Sequence, residues 1–211
     1  SWHTSRDSWA ELVFVLSALG ATLGKIASEV ATLMRTEINE VREPYYPGRG
    51  SSSTMPQKRN PIACPPIIAI AQKLRECVSS QLTAMIQDHE RAVAGQTLEW
   101  LVIPEAFLLI SGSLKHSKIM LENLEVDAEQ MGKNLNSGGG FLMAESVMMG
   151  LATHIGRDKA HKLVAKLSMK AIDSNISLRE VLFSDSEIMK IVSESEIDSL
   201  LAPENYLGNC N

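Results

Sequence analysis

The sequence is poor in several features that mark particular classes of protein. Aromatic residues make up only 5% of its 211 positions, and cysteine occurs three times, as Cys64, Cys77 and Cys210. The cysteines are odd in number and lack the spacing of metal ligands. We therefore predict reduced thiols in a cytoplasmic protein, two of them filling helix surfaces, and no metal site.

The charge pattern of a nucleic-acid-binding protein is also missing. Asp and Glu (25) outnumber Lys and Arg (20), which gives a net charge of −5 at pH 7. No cluster of basic residues marks a membrane surface, and no unbroken apolar run approaches the roughly 18 to 20 residues of a membrane span. We therefore predict neither a nucleic-acid nor a membrane partner.

Strand-like alternation and internal repeats are absent, and helical periodicity takes their place. Apolar residues recur at alternating spacings of four and three: Leu12, Leu16, Leu19, Leu23, Ile26, Val30 and Leu33. The pattern predicts a helix from about Arg6 to about Val41, roughly 50 Å long. Such a seam needs partners along its length, either in a single coiled-coil pair or in a multi-helix bundle shared between subunits.

Further helices are predicted on both sides of residue 124. One follows Pro61, with an apolar face at Ile67, Ile70, Leu74, Cys77 or Val78, Leu82 and Met85, and another runs from about Leu98 to Asn123. Beyond these, Asp127 is a candidate N-cap, residues 137–140 form a hinge, and 141–154 and 157–173 read as helices. The predicted fold is all-α, with long bundle helices over 1–124 and a small helical domain over 125–211.

The loop at residues 48–61 carries the densest set of chemically active side chains. Three serines and a threonine are followed closely by Lys58, Arg59 and Asn60, and a helical pattern begins after Pro61. Such a loop can present a basic oxygen beside donors for a carboxylate, and the first N–H groups of the next helix favour bound negative charge. By composition alone it is an ordinary surface loop, but the order of its residues favours a functional one.

That order resembles the Ser-Ser-x-Met-Pro-x-Lys-x-Asn-Pro loop of the fumarase/aspartase superfamily, here Ser52 to Pro61. The departure is Ser51, where the superfamily usually has glycine. Other stretches resemble the 3-carboxy-cis,cis-muconate cycloisomerases of that superfamily. They are Trp2–Asp7, His89–Arg91, Glu99–Leu101 with Pro104–Ala106, Gly156–His161 and Asn205–Gly208. The resemblance covers only the C-terminal part of family members, so we expect the N-terminal domain and the early bundle helices to lie outside this chain.

The resemblance implies a role for each candidate site residue. Ser52 would be the general base or acid at carbon, Lys58 and Asn60 would bind substrate carboxylates, and Ser53 and Thr54 would add hydrogen bonds. Arg6 is a candidate for substrate binding or loop support, and equally for an ordinary first-turn ion pair. His89 is a candidate for substrate binding, although a charged break between helices is usually solvated surface.

The function implied is a cycloisomerase that forms a carboxymuconolactone without metal or organic cofactor, and the substrate class implied is a small dicarboxylate or tricarboxylate. A homotetramer with active sites shared between subunits is implied as well, and we expect this chain alone to be inactive. One alternative is a fumarate-releasing, adenylosuccinate lyase-like enzyme. Trp100 stands against it, because that lyase typically has a phosphate-binding arginine at this place. The other alternative is a non-catalytic helical assembly.

Overall fold

The computed structural model of the protein describes residues 3–44, 55 and 59–210. Over these residues the regular structure is helical apart from one pair of two-residue strands, which confirms the predicted all-α class. The chain divides into two compact units, Ser1–Gln130 and Met131–Asn211. The domain boundary predicted from the sequence, at about residue 124, lies shortly before this division.

The first helix, α1, spans Asp7–Leu33. The predicted extension to Val41 was wrong, because the chain leaves the helix after Leu33, where the apolar repeat ends. Residues 34–38 form turns, and Asn39 adopts a left-handed φ of 53°, which asparagine tolerates better than most residues.

The face that α1 buries within the chain lies beside the predicted seam. Its buried residues are Val13, Ser17, Gly20, Gly24, Ala27 and Val30. Only Val30 belongs to the predicted seam, and Leu19 of that seam is 39% exposed. Small residues explain the shift, because they allow α2 to approach closely: a Cβ on Gly24 would lie 2.8 Å from the Cβ of Ala71.

Two more long helices complete the first unit. The second helix, α2, spans Cys64–Ala84, and the third, α3, spans Val93–Glu122 with Pro104 inside it. Both ends of α3 lie close to those predicted, although it begins five residues before Leu98. The shared core of the three helices consists of Val13, Leu74, Cys77, Val102, Ala106 and Ile110. Leu82, predicted on the buried face of α2, is instead 52% exposed, since Gln81 and Ala84 take the buried positions of that turn.

A short antiparallel strand pair lies between the ends of α1 and α3. Strand β1 (Val41–Arg42) pairs with β2 (Glu125–Val126), so that Arg42 lies opposite Glu125. The backbone N–H of Asp127 donates to the carbonyl oxygen of Glu40 at 2.9 Å and extends the pairing. The pair holds the segment after α1 against the segment after α3.

Large apolar side chains remain exposed on α1 and α3. Those at least 40% exposed are Trp9, Phe14, Val15, Val93, Trp100, Leu101, Phe107, Leu108, Leu114 and Leu121. Both helices are long and apolar enough to cross a membrane by length and composition, a test that core helices of soluble proteins also pass. The absence of a membrane partner therefore stays a prediction, and the exposed apolar surface is of the kind that partner chains cover.

The second unit is built from short helices around its own core. They are α4 (Ala128–Ser137), a 3₁₀ turn (Phe141–Met143), α5 (Ala144–Ile155), α6 (Arg157–Ser174), α7 (Leu178–Ser184), α8 (Ile188–Ile191), α9 (Glu194–Leu201) and a 3₁₀ turn (Pro203–Asn205). The predicted N-cap is confirmed, since Asp127 Oδ1 accepts from the N–H of Gln130 at 2.9 Å. At the predicted hinge, Gly139 and Gly140 have φ of 63° and 84°, which glycine adopts without steric cost.

Candidate active site

The predicted catalytic loop lies between β1 and α2. Ser52, Ser53, Thr54 and Lys58 fall outside the described residues, so their roles stay predictions. Asn60 is described and exposed. Its neighbours Arg59 and Pro61 show where the loop returns to the body of the first unit.

Asn60 lines a cavity of about 810 Å³ at the C-terminal end of α1. The described residues around the cavity come from α1, the turn after it, β1 and the loop: Ala31, Met34, Arg35, Thr36, Asn39, Arg42, Met55, Arg59, Asn60 and Pro61. Three of them are arginines, and none of the ten is acidic. The cavity has the size of a small-molecule site and the charge to attract an anion.

Arg59 and Arg42, two of the three arginines, donate hydrogen bonds to acceptors of different charge. Arg59 donates to both carboxylate oxygens of Glu125 at 2.7 Å, and this contact lowers the pKa of Glu125 below its ordinary value. Arg42 donates to the neutral Oδ1 of Asn39 at 3.1 and 3.2 Å. Arg42 also lies opposite Glu125 and helps to lower its pKa, so Arg42 and Arg59 share one internal carboxylate. A further carboxylate is the ligand that arginine geometry suits best.

The N-terminus of α2 already holds a negative charge. The carboxylate of Glu43 accepts from the N–H groups of Ile62 (2.8 Å), Ala63 (2.9 and 3.1 Å) and Cys64 (3.0 Å). Burial alone would raise the pKa of Glu43, but these hydrogen bonds outweigh burial and hold the pKa below its ordinary value. The negative charge expected at these N–H groups is present, and it is internal, because the carboxylate of Glu43 occupies them.

Arg6 is engaged at the other end of the first unit. Its guanidinium forms a bidentate salt bridge with Glu99 of α3, with Nε 2.8 Å from Oε2. Gln81 donates to the same Oε2 at 3.3 Å, and the ring of Trp9 lies 5.8 Å from the guanidinium. Arg6 is thus paired with Glu99 of α3 and not with Asp7, so the first-turn pair was wrong. Substrate binding or loop support by Arg6 stays a prediction.

His89 lies in the connection between α2 and α3. Its side chain is exposed and its backbone has a left-handed φ of 51°, a conformation that few residues other than glycine adopt. Gln87 braces this connection, since it donates to the carbonyl oxygen of Ala84 at 2.6 Å and accepts from the N–H of Ala92 at 3.2 Å. The imidazole is therefore exposed to solvent, on a connection that the hydrogen bonds of Gln87 stabilise.

The predicted site residues fall into two groups at opposite ends of α1. Arg6 precedes α1, whereas the cavity that includes Asn60 begins at Ala31. The 24 steps from Asp7 to Ala31 amount to roughly 36 Å at 1.5 Å per residue. His89 belongs to the first group, because it connects the end of α2 to the start of α3, where Gln81 and Glu99 meet Arg6. Among the residues that the structure describes, one copy of the chain does not bring Arg6 and His89 into one site with Asn60.

Comparison with known proteins gives the family. The family model described as "Lyase" matches residues 2–75, and the one described as "Adenylosuccinate lyase C-terminus" matches residues 140–211. The crystal structure of 3-carboxy-cis,cis-muconate lactonizing enzyme from Pseudomonas putida matches 99% of the chain with a TM-score of 0.90 and 39% identity. The chain belongs to the fumarase/aspartase superfamily. This confirms the resemblance drawn from the loop.

Relatives within the superfamily carry more than one activity in their names. The chain is 42% identical over 207 residues (98% of its length) to 3-carboxy-cis,cis-muconate cycloisomerase of Pseudomonas aeruginosa. It is 40% identical over 204 residues (96%) to adenylosuccinate lyase of Pyrococcus abyssi. It spans 45% of each of these proteins and 46% of the Pseudomonas putida chain. Members of the superfamily are enzymes, and relatives named for two different reactions match nearly the whole chain.

Four residues in or near the cavity were not predicted from the sequence. Arg35 and Arg42 line the cavity, and Glu43 and Glu125 contact Arg59, which also lines it. Arg35 and Arg42 gave no signal, because only the turn after α1 brings them beside Asn60. Glu43 and Glu125 act through contacts with residues 16 to 66 positions away. Among the described residues, no group of three His, Cys, Asp or Glu is placed to hold a metal ion.

Proposed function

We propose that the protein is a cycloisomerase that converts 3-carboxy-cis,cis-muconate to a carboxymuconolactone. The observation that carries this proposal is the cavity in which Asn60 of the loop is joined by Arg35, Arg42 and Arg59 without an acidic residue among the described lining. A substrate with three carboxylates suits a cavity with this basic lining, in which Glu125 compensates Arg59 from outside the lining. The similarity to cycloisomerases over nearly the whole chain supports the same substrate.

In this reaction a carboxylate of the substrate adds to its own carbon–carbon double bond and closes the lactone ring. The carbon next to another carboxylate gains a proton, and the electron pair of the broken π bond forms that new C–H bond. We assign the proton transfer to Ser52. Negative charge builds up on the neighbouring carboxylate during the step, and fixed donors stabilise it. We assign this role to Lys58 and Asn60, with Ser53 and Thr54 as further donors.

A homotetramer with shared active sites is part of the proposal. The distance between the Arg6 and His89 group and the Asn60 group, roughly 36 Å along α1, supports sites completed by other subunits. The exposed apolar side chains of α1 and α3 supply the surface for such contacts. We expect the chain alone to be inactive, since it spans 45% of a relative such as the Pseudomonas aeruginosa protein. We expect the protein in the cytoplasm.

A fumarate-releasing lyase is the second candidate, favoured by the match of residues 140–211 to the adenylosuccinate lyase C-terminus. That substrate carries a nucleotide phosphate. At the place where the resemblance leads one to expect a phosphate-binding arginine, the chain has Trp100, which is 66% exposed on α3 and carries no charge. We therefore rank the cycloisomerase first.

The test follows the ultraviolet absorbance of 3-carboxy-cis,cis-muconate with the complete gene product and with this chain. We expect loss of the diene absorbance with the complete protein only. Ser52→Ala should lower kcat by a factor of a thousand or more, on the order of the loss seen when a positioned proton-transfer group is removed. Ser51→Ala, the matched control, should keep activity within about threefold. Turnover of adenylosuccinate instead would select the second candidate.

A further inference from the structure

Glu43 is a buried carboxylate with an unusual number of backbone partners. It is 7% exposed, and its two oxygens accept four hydrogen bonds from the N–H groups of Ile62, Ala63 and Cys64. Cys64 is the first residue of α2 and Ile62 and Ala63 directly precede it, so none of the three N–H groups has a partner within the helix. The carboxylate satisfies them and lies at the positive end of the helix dipole.

The position of these contacts along the chain gives them a second consequence. Glu43 lies just before the catalytic loop, and its partners follow Asn60 and Pro61 directly at the other end. The same two ends meet again through the backbone, since Arg59 Nη2 donates to the carbonyl oxygen of Glu43 at 3.0 Å. Glu43 thus joins the entry and the exit of the loop through both its side chain and its main chain.

Glu43 does not line the cavity beside Asn60, and the smaller cavity of about 320 Å³ that it does line, with His116 and Met120, includes none of the predicted site residues that the structure describes. The residues that line the cavity beside Asn60 include Arg42 and Arg59 but not Glu43. Both carboxylate oxygens are directed to backbone donors rather than to this cavity. An effect of Glu43 on the reaction must therefore pass through the loop it holds.

We propose that Glu43 is the positioning residue of the loop's exit, which it fixes at the start of α2, and that it thereby sets where Asn60 meets the substrate. The expected effect of Glu43 on catalysis rests on the proposed function. The contact itself does not, because it is a property of the folded chain. Displacement of a binding group by about 1 Å can cost a hundredfold in rate, so a cap of this kind has leverage on turnover.

The kinetic test compares Glu43→Gln and Glu43→Ala with the wild type in the complete protein, with 3-carboxy-cis,cis-muconate as substrate. We expect kcat to fall about tenfold in the glutamine variant and about a hundredfold in the alanine variant, with KM within about threefold. Glutamine keeps the shape and one acceptor oxygen, so its loss should be the smaller. Glu37→Gln, an exposed acid in the same turn region, removes the same charge and should leave kcat unchanged.

A second measurement keeps the two hypotheses separate. Hydrogen–deuterium exchange reports the amides of residues 62–64 whether or not the substrate is correct. We expect exchange to quicken there in Glu43→Ala and not in Glu37→Gln, at a temperature at which circular dichroism and sedimentation show folded, assembled protein. Unchanged exchange, or quickened exchange with kcat within twofold of wild type, would overturn the positioning role. A wild type that leaves muconate unchanged but shows the exchange difference would sink the proposed function and leave the cap standing.

Discussion

Arg6 and Glu99 lie 93 residues apart in the sequence and form a bidentate salt bridge. The side chain of Glu99 is 5% exposed and that of Arg6 is 16% exposed, so the pair is largely shielded from water. The hydrogen bonds that Arg6 donates to Glu99 raise the pKa of Arg6. The bridge fixes the start of α1 on α3, at the end of the unit where α2 passes into α3.

Removing the charge of Glu99 should destabilise the fold markedly. Glu99→Gln leaves the Arg6 guanidinium partly buried without its counter-charge, and such a loss typically costs about 3 kcal/mol of the free energy of unfolding. Urea unfolding followed by circular dichroism measures it. Glu122→Gln breaks an exposed pair with Lys118 on the same helix and should cost no more than about 0.5 kcal/mol. Equal stability of the two variants would show that the bridge contributes little.

Acid should weaken the fold through Glu99 and Glu43. Burial acts to raise the pKa of Glu99, but hydrogen bonds from Arg6 and Gln81 outweigh it and lower the pKa. The pKa of Glu43 is lowered in the same sense. A lowered folded pKa means that the stabilisation is complete above the ordinary carboxyl pKa of about 4.3 and is lost as the pH falls through the folded value.

We therefore expect the free energy of unfolding to be nearly constant from pH 7 to about 5 and to decline below about 4.3. A series of urea unfolding curves at different pH values measures this decline. It should be shallower in Glu99→Gln, which has no proton to bind at that site, and unchanged in Glu122→Gln. Parallel declines in all three proteins would remove Glu99 from the acid response.

The packing of α1 on α2 leads to a prediction about glycine. Alanine normally stabilises a helix by about 1 kcal/mol relative to glycine. Gly24→Ala should nevertheless destabilise by about 1 to 3 kcal/mol, because its Cβ would lie 2.8 Å from the Cβ of Ala71. Gly132→Ala is the matched control, since a Cβ there meets nothing within 4 Å in α4. It should raise the stability by up to about 1 kcal/mol.

The double variant Gly24→Ala with Ala71→Gly tests the cause of this loss. It removes the methyl group that the new Cβ would meet, so it should recover part of the stability in a double-mutant cycle. A cycle without coupling would mean that the contact between α1 and α2 does not limit the size of residue 24.

The helices and the family could be predicted from the sequence. Contacts between distant parts of the chain could not. The apolar repeat predicted α1 because its spacing is a local property. Its end at Leu33 was missed because no proline marks it, and the following segment pairs with Glu125–Val126. Asn60 was predicted from the order of residues in the loop, and the structure places it beside a cavity, while its role stays a prediction. Glu43 was missed because its partners lie 19 to 21 residues further along the chain.

The separation of Asn60 from His89 leads to the most demanding prediction, that two damaged subunits can repair each other. If an active site takes Asn60 from one subunit and His89 from another, an assembly of both variants contains some sites with neither defect. We expect Asn60→Ala and His89→Ala each to lower the activity of the complete protein at least tenfold, a typical loss for a contacting group. Co-expression of the two should restore a measurable part of the activity.

The matched control pairs Asn60→Ala with Ser52→Ala. These residues are eight positions apart in one loop, so both defects fall on the same contribution to the site and no assembly of them contains an intact one. Activity would be measured on mixed assemblies isolated with two different affinity tags. Recovery in the first pair but not in the second supports shared sites. If the first pair shows no recovery while both variants assemble, Asn60 and His89 do not act in one site. If His89→Ala alone keeps full activity, His89 takes no part in the reaction and the exposed histidine is surface.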